Sequence, residues 1–287
     1  MLSKKLLTLF SILSLLELAR AQNCGVSQIA PTIPAYYNSR IMGGQDAVAN
    51  SWPWIVSIRR FENGNIYDHY CTGTLIAADT VLTAAQCIYG KNPPNLLVLV
   101  GLDARNTYNL NNVAFVKSYG YNSYYNSSSL TSGYDIALIK LKAPVTLSSK
   151  VQIACLPQTT TDYLSLINKK LVTVGWGSTT GQNSNAYYST NLKQTALSLL
   201  SSSNTACTAA SYNTNSVFCA KDLLYLSNVC YADGGTPLMA QISGRWYVYG
   251  ISSFLYSNSN GCVNSKPSFF TSVPYFLQWI NTWQTKI

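Results

Sequence analysis

"HYCTGTLIAADTVLTAAQC", His69 to Cys87, holds two short apolar runs, one on each side of Ala77-Ala78-Asp79. Both are rich in Thr, Val, Leu and Ile and too short for helices, so they read as strands. Similar runs recur outward from this stretch: "WIVSIRR" (54–60), "NLLVLVG" (95–101), "DIALIKL" (135–141), "KLVTVGWG" (170–177) and "RWYVYGISS" (245–253). Turns rich in Asn, Ser and Gly separate them, the spacing of an antiparallel all-β architecture, sandwich or barrel. Helical periodicity enters only in "VPYFLQWINTWQTKI", where Tyr275, Trp279 and Trp283 recur every four residues behind Pro274. These three rings are expected to share one face of a C-terminal helix that starts near Pro274.

The start has the form of a secretory leader. Lys4 and Lys5 precede an apolar run from Leu6 to about Leu18, and Ala19-Arg20-Ala21 follows as a small-residue cleavage site. The run is too short to span a bilayer and contains Glu17. The expectation is a signal peptide over residues 1–21, secretion, and no membrane span. Eight cysteines without a C-x-x-C pair suit an oxidising compartment and disulfides. A lone histidine, His69, cannot build a usual zinc site, so no metal and no cofactor is expected.

The net charge is +9, falling to +7 once Lys4, Lys5, Arg20 and Glu17 leave with the leader. The basic residues are scattered, with only Arg59-Arg60 and Lys169-Lys170 adjacent. Without an aromatic-interleaved basic stripe, nucleic-acid binding is not expected. A cationic soluble surface or affinity for an anionic glycan fits better.

Several landmarks, in order, resemble the trypsin-like (chymotrypsin-fold) serine peptidase family. "RIMGG" (40–44) is similar to its activation junction, "SWPWIVSI" to its first strand, and His69–Cys87 to the segment carrying the catalytic histidine. "YDIALIKL" resembles the aspartate motif, "VTVGWG" the opening of the second barrel, "CYADGGTPL" (230–238) the nucleophile loop, and "SFFTSVPYFLQWI" the final strand and helix. The resemblance implies two six-stranded antiparallel β-barrels with a C-terminal α-helix and a cleft between the barrels. It divides the chain into a leader (1–21), a propeptide-like segment (22–40) ending at Arg40, and a peptidase domain (41–287). It also implies disulfides Cys71–Cys87, Cys207–Cys219, Cys230–Cys262 and Cys24–Cys155. A further family bridge is absent at both ends, where Leu171 and Ala240 stand.

Hydrolysis in this family needs a serine hydroxyl, an imidazole that relays its proton, and a carboxylate that orients the imidazole. The resemblance places Asp135 at the carboxylate, but Gln86 at the imidazole and Gly234 at the serine. An amide can donate to a carboxylate, yet takes up no proton near neutral pH. Ala232 replaces the glycine of the oxyanion hole, and Thr236 occupies another family glycine. In a protease of related mechanism, loss of the serine or the histidine alone lowers kcat by roughly 10⁶. His69 is expected to be structural, beneath the nucleophile loop, bonding Asp233 before activation. The specificity-pocket positions hold Asn228, Ser253, Phe254, Leu255 and Ser268, and the side chains of Leu255 and Ser268 are expected to narrow that pocket. The family's calcium loop has one carboxylate here, Asp103, so calcium is not expected.

Arg40-Ile41 and Asp233 retain the parts of the family's cleavage switch, which calls for an activating protease. The chain's one N-x-S/T sequon is Asn126-Ser127-Ser128. It lies in a rim loop with Tyr119, Tyr121, Tyr124, Tyr125 and Tyr134, whose rings suit a binding surface. The expected function is that of a secreted, non-catalytic homologue binding an extracellular protein or anionic glycan. The alternatives are a trypsin-like endopeptidase with atypical or residual activity, and a purely structural extracellular protein.

Overall fold

A computed structural model describes residues 24–33, 44–224 and 227–287. The leader and the Arg40-Ile41 junction lie outside the described residues. After the two-residue strand Gln45–Asp46 (β1) come Ile55–Glu62 (β2), Asn65–Ala77 (β3), Thr80–Thr83 (β4), Leu96–Leu99 (β5), Val113–Tyr121 (β6) and Ala137–Leu141 (β7). The second half holds Lys170–Gly175 (β8), Lys193–Leu200 (β9), Val217–Lys221 (β10), Pro237–Ile242 (β11), Arg245–Leu255 (β12), Ser257–Asn258 (β13), Gly261–Cys262 (β14) and Ser268–Ser272 (β15).

Strands β2 to β7 close into one barrel in the order β2-β3-β4-β7-β6-β5, sealed where Ser57 of β2 faces Leu99 of β5. The second barrel runs β9-β10-β15-β12-β11-β8 and closes through β8 against β9, from Lys170 opposite Ser198 to Gly175 opposite Lys193. All pairings within the two barrels are antiparallel, and closure leaves neither barrel an open edge. Local chemistry sets the turns. Asn63-Gly64 joins β2 to β3 with φ of 53° and 79°, and Ser243-Gly244 joins β11 to β12 with φ of 49° and 78°. Two consecutive left-handed residues give the turn whose twist matches that of paired strands.

One apolar core runs through both barrels, from Leu75, Val81 and Leu138 to Val172, Met239 and Val248. Tryptophans knit the seam: Trp52 packs on Trp246 at 4.7 Å and donates to Gln194 Oε1 at 2.7 Å. A second cluster fills the other barrel and includes Leu171 and Ala240, so apolar packing replaces the missing bridge. Four disulfides join Cys24–Cys155, Cys71–Cys87, Cys207–Cys219 and Cys230–Cys262, the pairs that the resemblance implies.

Pro274–Phe276 opens the C-terminal turn, and the α-helix is Leu277–Gln284. Its buried side chains are Leu277 and Ile280, next to Phe276, whereas Tyr275 is exposed and both tryptophans are only partly covered. The expected Tyr275–Trp279–Trp283 face is corrected at Tyr275 alone, since Trp279 and Trp283 lie together on the helix at 5.7 Å. The chain is still in the preceding 3-10 turn at Tyr275, whose three-residue period rotates that ring outward. Trp283 does pack, on β6, where Gly120 leaves room: a Cβ there would lie 2.5 Å from the indole. The helix therefore returns the end of the chain to the first barrel.

Candidate functional site

Four segments converge between the barrels. A 3-10 turn, Ala85–Cys87, follows β4 and presents Gln86. Asp135 precedes β7, Gly234 precedes β11, and Ser253 lies on β12. Asp135 is wholly buried, and Gln86 serves both of its oxygens: the backbone N–H donates to Oδ1 at 2.9 Å and Nε2 to Oδ2 at 2.6 Å. Ser253, which lines the cleft, also turns its hydroxyl to Asp135 Oδ2 at 2.6 Å. Thr271 Oγ1 donates to the Asp135 carbonyl at 2.8 Å. Burial raises the Asp135 carboxyl to about 6, with the donated hydrogen bonds opposing that rise.

Gly234 sits over the Cys71–Cys87 disulfide. A Cβ there would meet Cys71 Sγ at 3.4 Å and the Gln86 amide carbon at 3.9 Å, which is ordinary contact. Sterics therefore do not require glycine at this position. Gly235 is different: at φ of 81°, a Cβ would lie 2.2 Å from the Thr72 carbonyl oxygen. Ala232 stands at φ of 69°, where an L side chain costs roughly 1–2 kcal/mol.

His69 is buried, and its partners define its tautomer. Arg59 Nε donates to Ser57 Oγ at 3.1 Å, and the Ser57 hydroxyl donates to His69 Nδ1 at 2.9 Å, because Nε2 faces a carbonyl and must carry the proton of the neutral ring. The other ring nitrogen, Nε2–H, then donates to the Ala232 carbonyl at 3.0 Å. Burial and the Arg59 charge push the His69 pKa down to about 3. The expected His69–Asp233 bond is absent. The Asp233 carboxylate is fully buried and accepts instead from Gly177 N and Cys230 N, both at 2.9 Å. Burial raises its pKa to about 7. The Thr236 hydroxyl is buried without a hydrogen-bond partner and is shut away from the cleft.

The specificity-pocket residues do not form one wall. Asn228 and Ser268 are buried and bonded to each other, Ser268 Oγ to Asn228 Oδ1 at 2.5 Å, while Asn228 Nδ2 donates to the Lys266 carbonyl at 3.1 Å. Phe254 stacks on Phe269 with centroids 4.5 Å apart. The open cleft, about 270 Å³, is lined by Gln86, Ala232, Gly234, Phe254 and Leu255 among others, but by neither Asn228 nor Ser268.

The sequence reading passed over Arg105, in the loop considered for calcium. Its buried guanidinium pairs with Asp68 and donates to the Ser189 carbonyl at 3.2 Å and the Asn185 carbonyl at 3.3 Å. A cation of the chain itself thus ties that loop to the one after β8. Asp103 accepts from Asn50 N, and no cluster of metal-ligating side chains occurs among the described residues. On the rim, Tyr89, Tyr121 and Tyr125 pack edge to face at 5.3–6.3 Å, and Tyr134 packs on Phe276 at 6.0 Å. Tyr119 donates to the Lys91 carbonyl, and Tyr124, though 73% accessible, packs on Tyr134 at 5.3 Å. Asn126 is exposed, with its side chain accepting from Ser128 N at 2.9 Å.

The profile of the Trypsin family matches residues 41–280. The chain is 34% identical over 252 residues to chymotrypsin-like elastase family member 1 of Macaca fascicularis, covering 85% of this chain and 89% of the relative. To the Homo sapiens protein of that name it is 35% identical, covering 85% and 92%. Two closed antiparallel barrels, a cleft between them, and a match across nearly the whole of both place this chain in the trypsin-like, chymotrypsin-fold serine peptidase family.

Proposed function

We infer that this chain is a secreted, non-catalytic member of the trypsin family that acts by binding an extracellular protein or an anionic glycan. The observation that carries the reading is the pair Gln86 and Gly234: an amide on the buried carboxylate and no side chain facing it. Acyl transfer needs a nucleophile and a base that takes its proton. His69 does not substitute, because both ring nitrogens are engaged away from the cleft and its basicity is low. Nor does Ser253, whose hydroxyl is committed to Asp135. The leader at 1–21 and the four disulfides support export.

Cleavage after Arg40 by an activating protease adds a switch to this reading. Its support is Asp233, a buried carboxylate that two backbone N–H groups hold and that an added cation would stabilise. Glycosylation at exposed Asn126 would cover part of the rim.

A second reading, an endopeptidase with atypical activity, draws on the elastase names of the relatives. A fluorophosphonate probe, which labels only an activated serine, separates the two. The expected result is no labelling of folded protein above a denatured control, before or after cleavage at Arg40. Labelling above that control would sink the non-catalytic reading.

A further inference from the structure

The Gln86 amide carries two hydrogens, and both are used. Nε2 donates to Asp135 Oδ2 and to the Ser253 carbonyl, each at 2.6 Å. The flipped amide would set its oxygen against a carboxylate and a carbonyl, two acceptors, so hydrogen bonding fixes the orientation. The carbonyl Oε1 is left over. No donor among the described residues meets it, and it is not among the buried unsatisfied atoms, so it opens to the cleft. The amide carbon lies 3.9 Å from where a Cβ on Gly234 would sit, so the space a nucleophile would use borders an acceptor.

Three further features give that acceptor a preference. The Asp135 carboxylate stands directly behind it, fully buried, and no residue lining the cleft is Lys, Arg or His. In a chain of net charge +9, this spot is locally negative. Tyr70, Tyr231 and Phe254 line the same cleft. Tyr70 is held by its hydroxyl on the Cys87 carbonyl at 2.9 Å and Phe254 by its stack on Phe269, so both rings are fixed. Aromatic rings beside a carbonyl acceptor and a buried anion suit a cation. At about 270 Å³, the cleft falls below the roughly 300–1,000 Å³ of pockets for drug-sized ligands and fits a side-chain head group.

We propose that the degenerate centre binds the guanidinium or ammonium of an Arg or Lys side chain from a protein ligand, seated on Gln86 Oε1 between the cleft rings. The proposal rests on the reading of the cleft as a non-catalytic binding site. The site shares Ser253, Phe254 and Leu255 with the specificity-pocket positions but not Asn228 and Ser268, which bond each other outside the cleft lining.

The test titrates the full-length secreted protein with N-butylguanidinium and its neutral isostere N-butylurea, followed by calorimetry. Saturable guanidinium binding, with the urea at least about tenfold weaker, is expected because charge-assisted hydrogen bonds are about twice as strong as neutral ones. Gln86→Leu should lower guanidinium affinity about tenfold or more. In case Gln86→Leu fails to fold, Leu255→Lys places a like charge on the cleft wall and should weaken guanidinium binding about fivefold or more. A capped Gly-Arg-Gly peptide should displace N-butylguanidinium, and the citrulline peptide should not. Equal binding of the urea, full affinity in Gln86→Leu or Leu255→Lys, failure of the Arg peptide to compete, or no saturable binding would each overturn the proposal. Absent guanidinium binding together with absent fluorophosphonate labelling would overturn it while leaving the non-catalytic reading in place.

Discussion

Gln86 holds Asp135 from two directions, through its backbone N–H at 2.9 Å and its side-chain amide at 2.6 Å. A buried carboxylate needs donors, and here a residue without acid–base chemistry supplies them. Gln86→Leu removes one donor while the carboxylate stays buried. The expected loss is about 1–3 kcal/mol in denaturant unfolding, with the midpoint shifted and the slope unchanged. A shift below about 0.5 kcal/mol would show that Ser253 and the backbone alone suffice.

Restoring Gln86→His together with Gly234→Ser should not recreate an efficient peptidase. The serine fits, since the Gly234 Cβ position is open. Ala232 and the Asn228–Ser268 closure remain. Ala232 keeps its N–H but carries a methyl at a left-handed φ, and misplacing one oxyanion donor lowers kcat up to about 10²–10³-fold, so turnover of standard peptide substrates should stay at least about 100-fold below active relatives. Turnover comparable to theirs would show that Ala232 and the closed pocket are tolerated.

The two adjacent glycines of the nucleophile loop should respond in opposite ways. Gly234→Ala places a methyl at 3.4 Å from Cys71 Sγ and should cost less than about 1 kcal/mol. Gly235→Ala drives one into the Thr72 carbonyl at a left-handed φ and should cost more than about 2 kcal/mol or prevent folding. Equal melting shifts for the two variants would refute the loop geometry.

Asp233 predicts an unusual pH dependence in chain kept uncleaved by Arg40→Gln. Its folded pKa, about 7, lies above the unfolded value near 3.8. The native state therefore holds the extra proton, and stability from this group falls as pH rises between those values. Below the unfolded value the contribution is constant. Asp233→Asn removes the slope, so the stability of the variant relative to its parent should grow by about 1.4 kcal/mol per pH unit across that window. His69, with its folded pKa lowered to about 3, acts oppositely and loses stability as pH falls below about 6.5 in both proteins, so it cancels in the difference. A difference independent of pH would sink the prediction.

The rim tyrosines divide by packing. Tyr121 and Tyr125 lock with Tyr89, while Tyr124 is 73% accessible and packs on the ring of Tyr134. Replacing Tyr121 and Tyr125 by Ser should each lower stability by more than about 1 kcal/mol, and Tyr124→Ser should stay within about 0.5. A binding role for this loop is therefore tested with Tyr124→Ser alone. An unfolded single variant at Tyr124 would show that the loop is scaffold throughout.

Much of this protein was legible in its sequence because the signals were local. Strand-length apolar runs, turn residues and eight cysteines in family order carried the two barrels. Gln86 and Gly234 were visible as the wrong residues at recognisable places, since a missing imidazole or hydroxyl is a fact of composition. What tertiary structure alone decided were the partners. Ser253 turns its hydroxyl to Asp135, 118 residues away, and His69 donates to the Ala232 carbonyl instead of to Asp233. Arg105 reaches across to Asp68 and two carbonyls after β8. Tyr275 rotates outward because its turn is 3-10 before the helix begins. The periodicity of a strand says which face is buried, but the donor that meets a buried oxygen is set by how the two barrels pack. The unpartnered carbonyl of Gln86 belongs to the second kind of fact: it is left over because both hydrogens of that amide are used elsewhere.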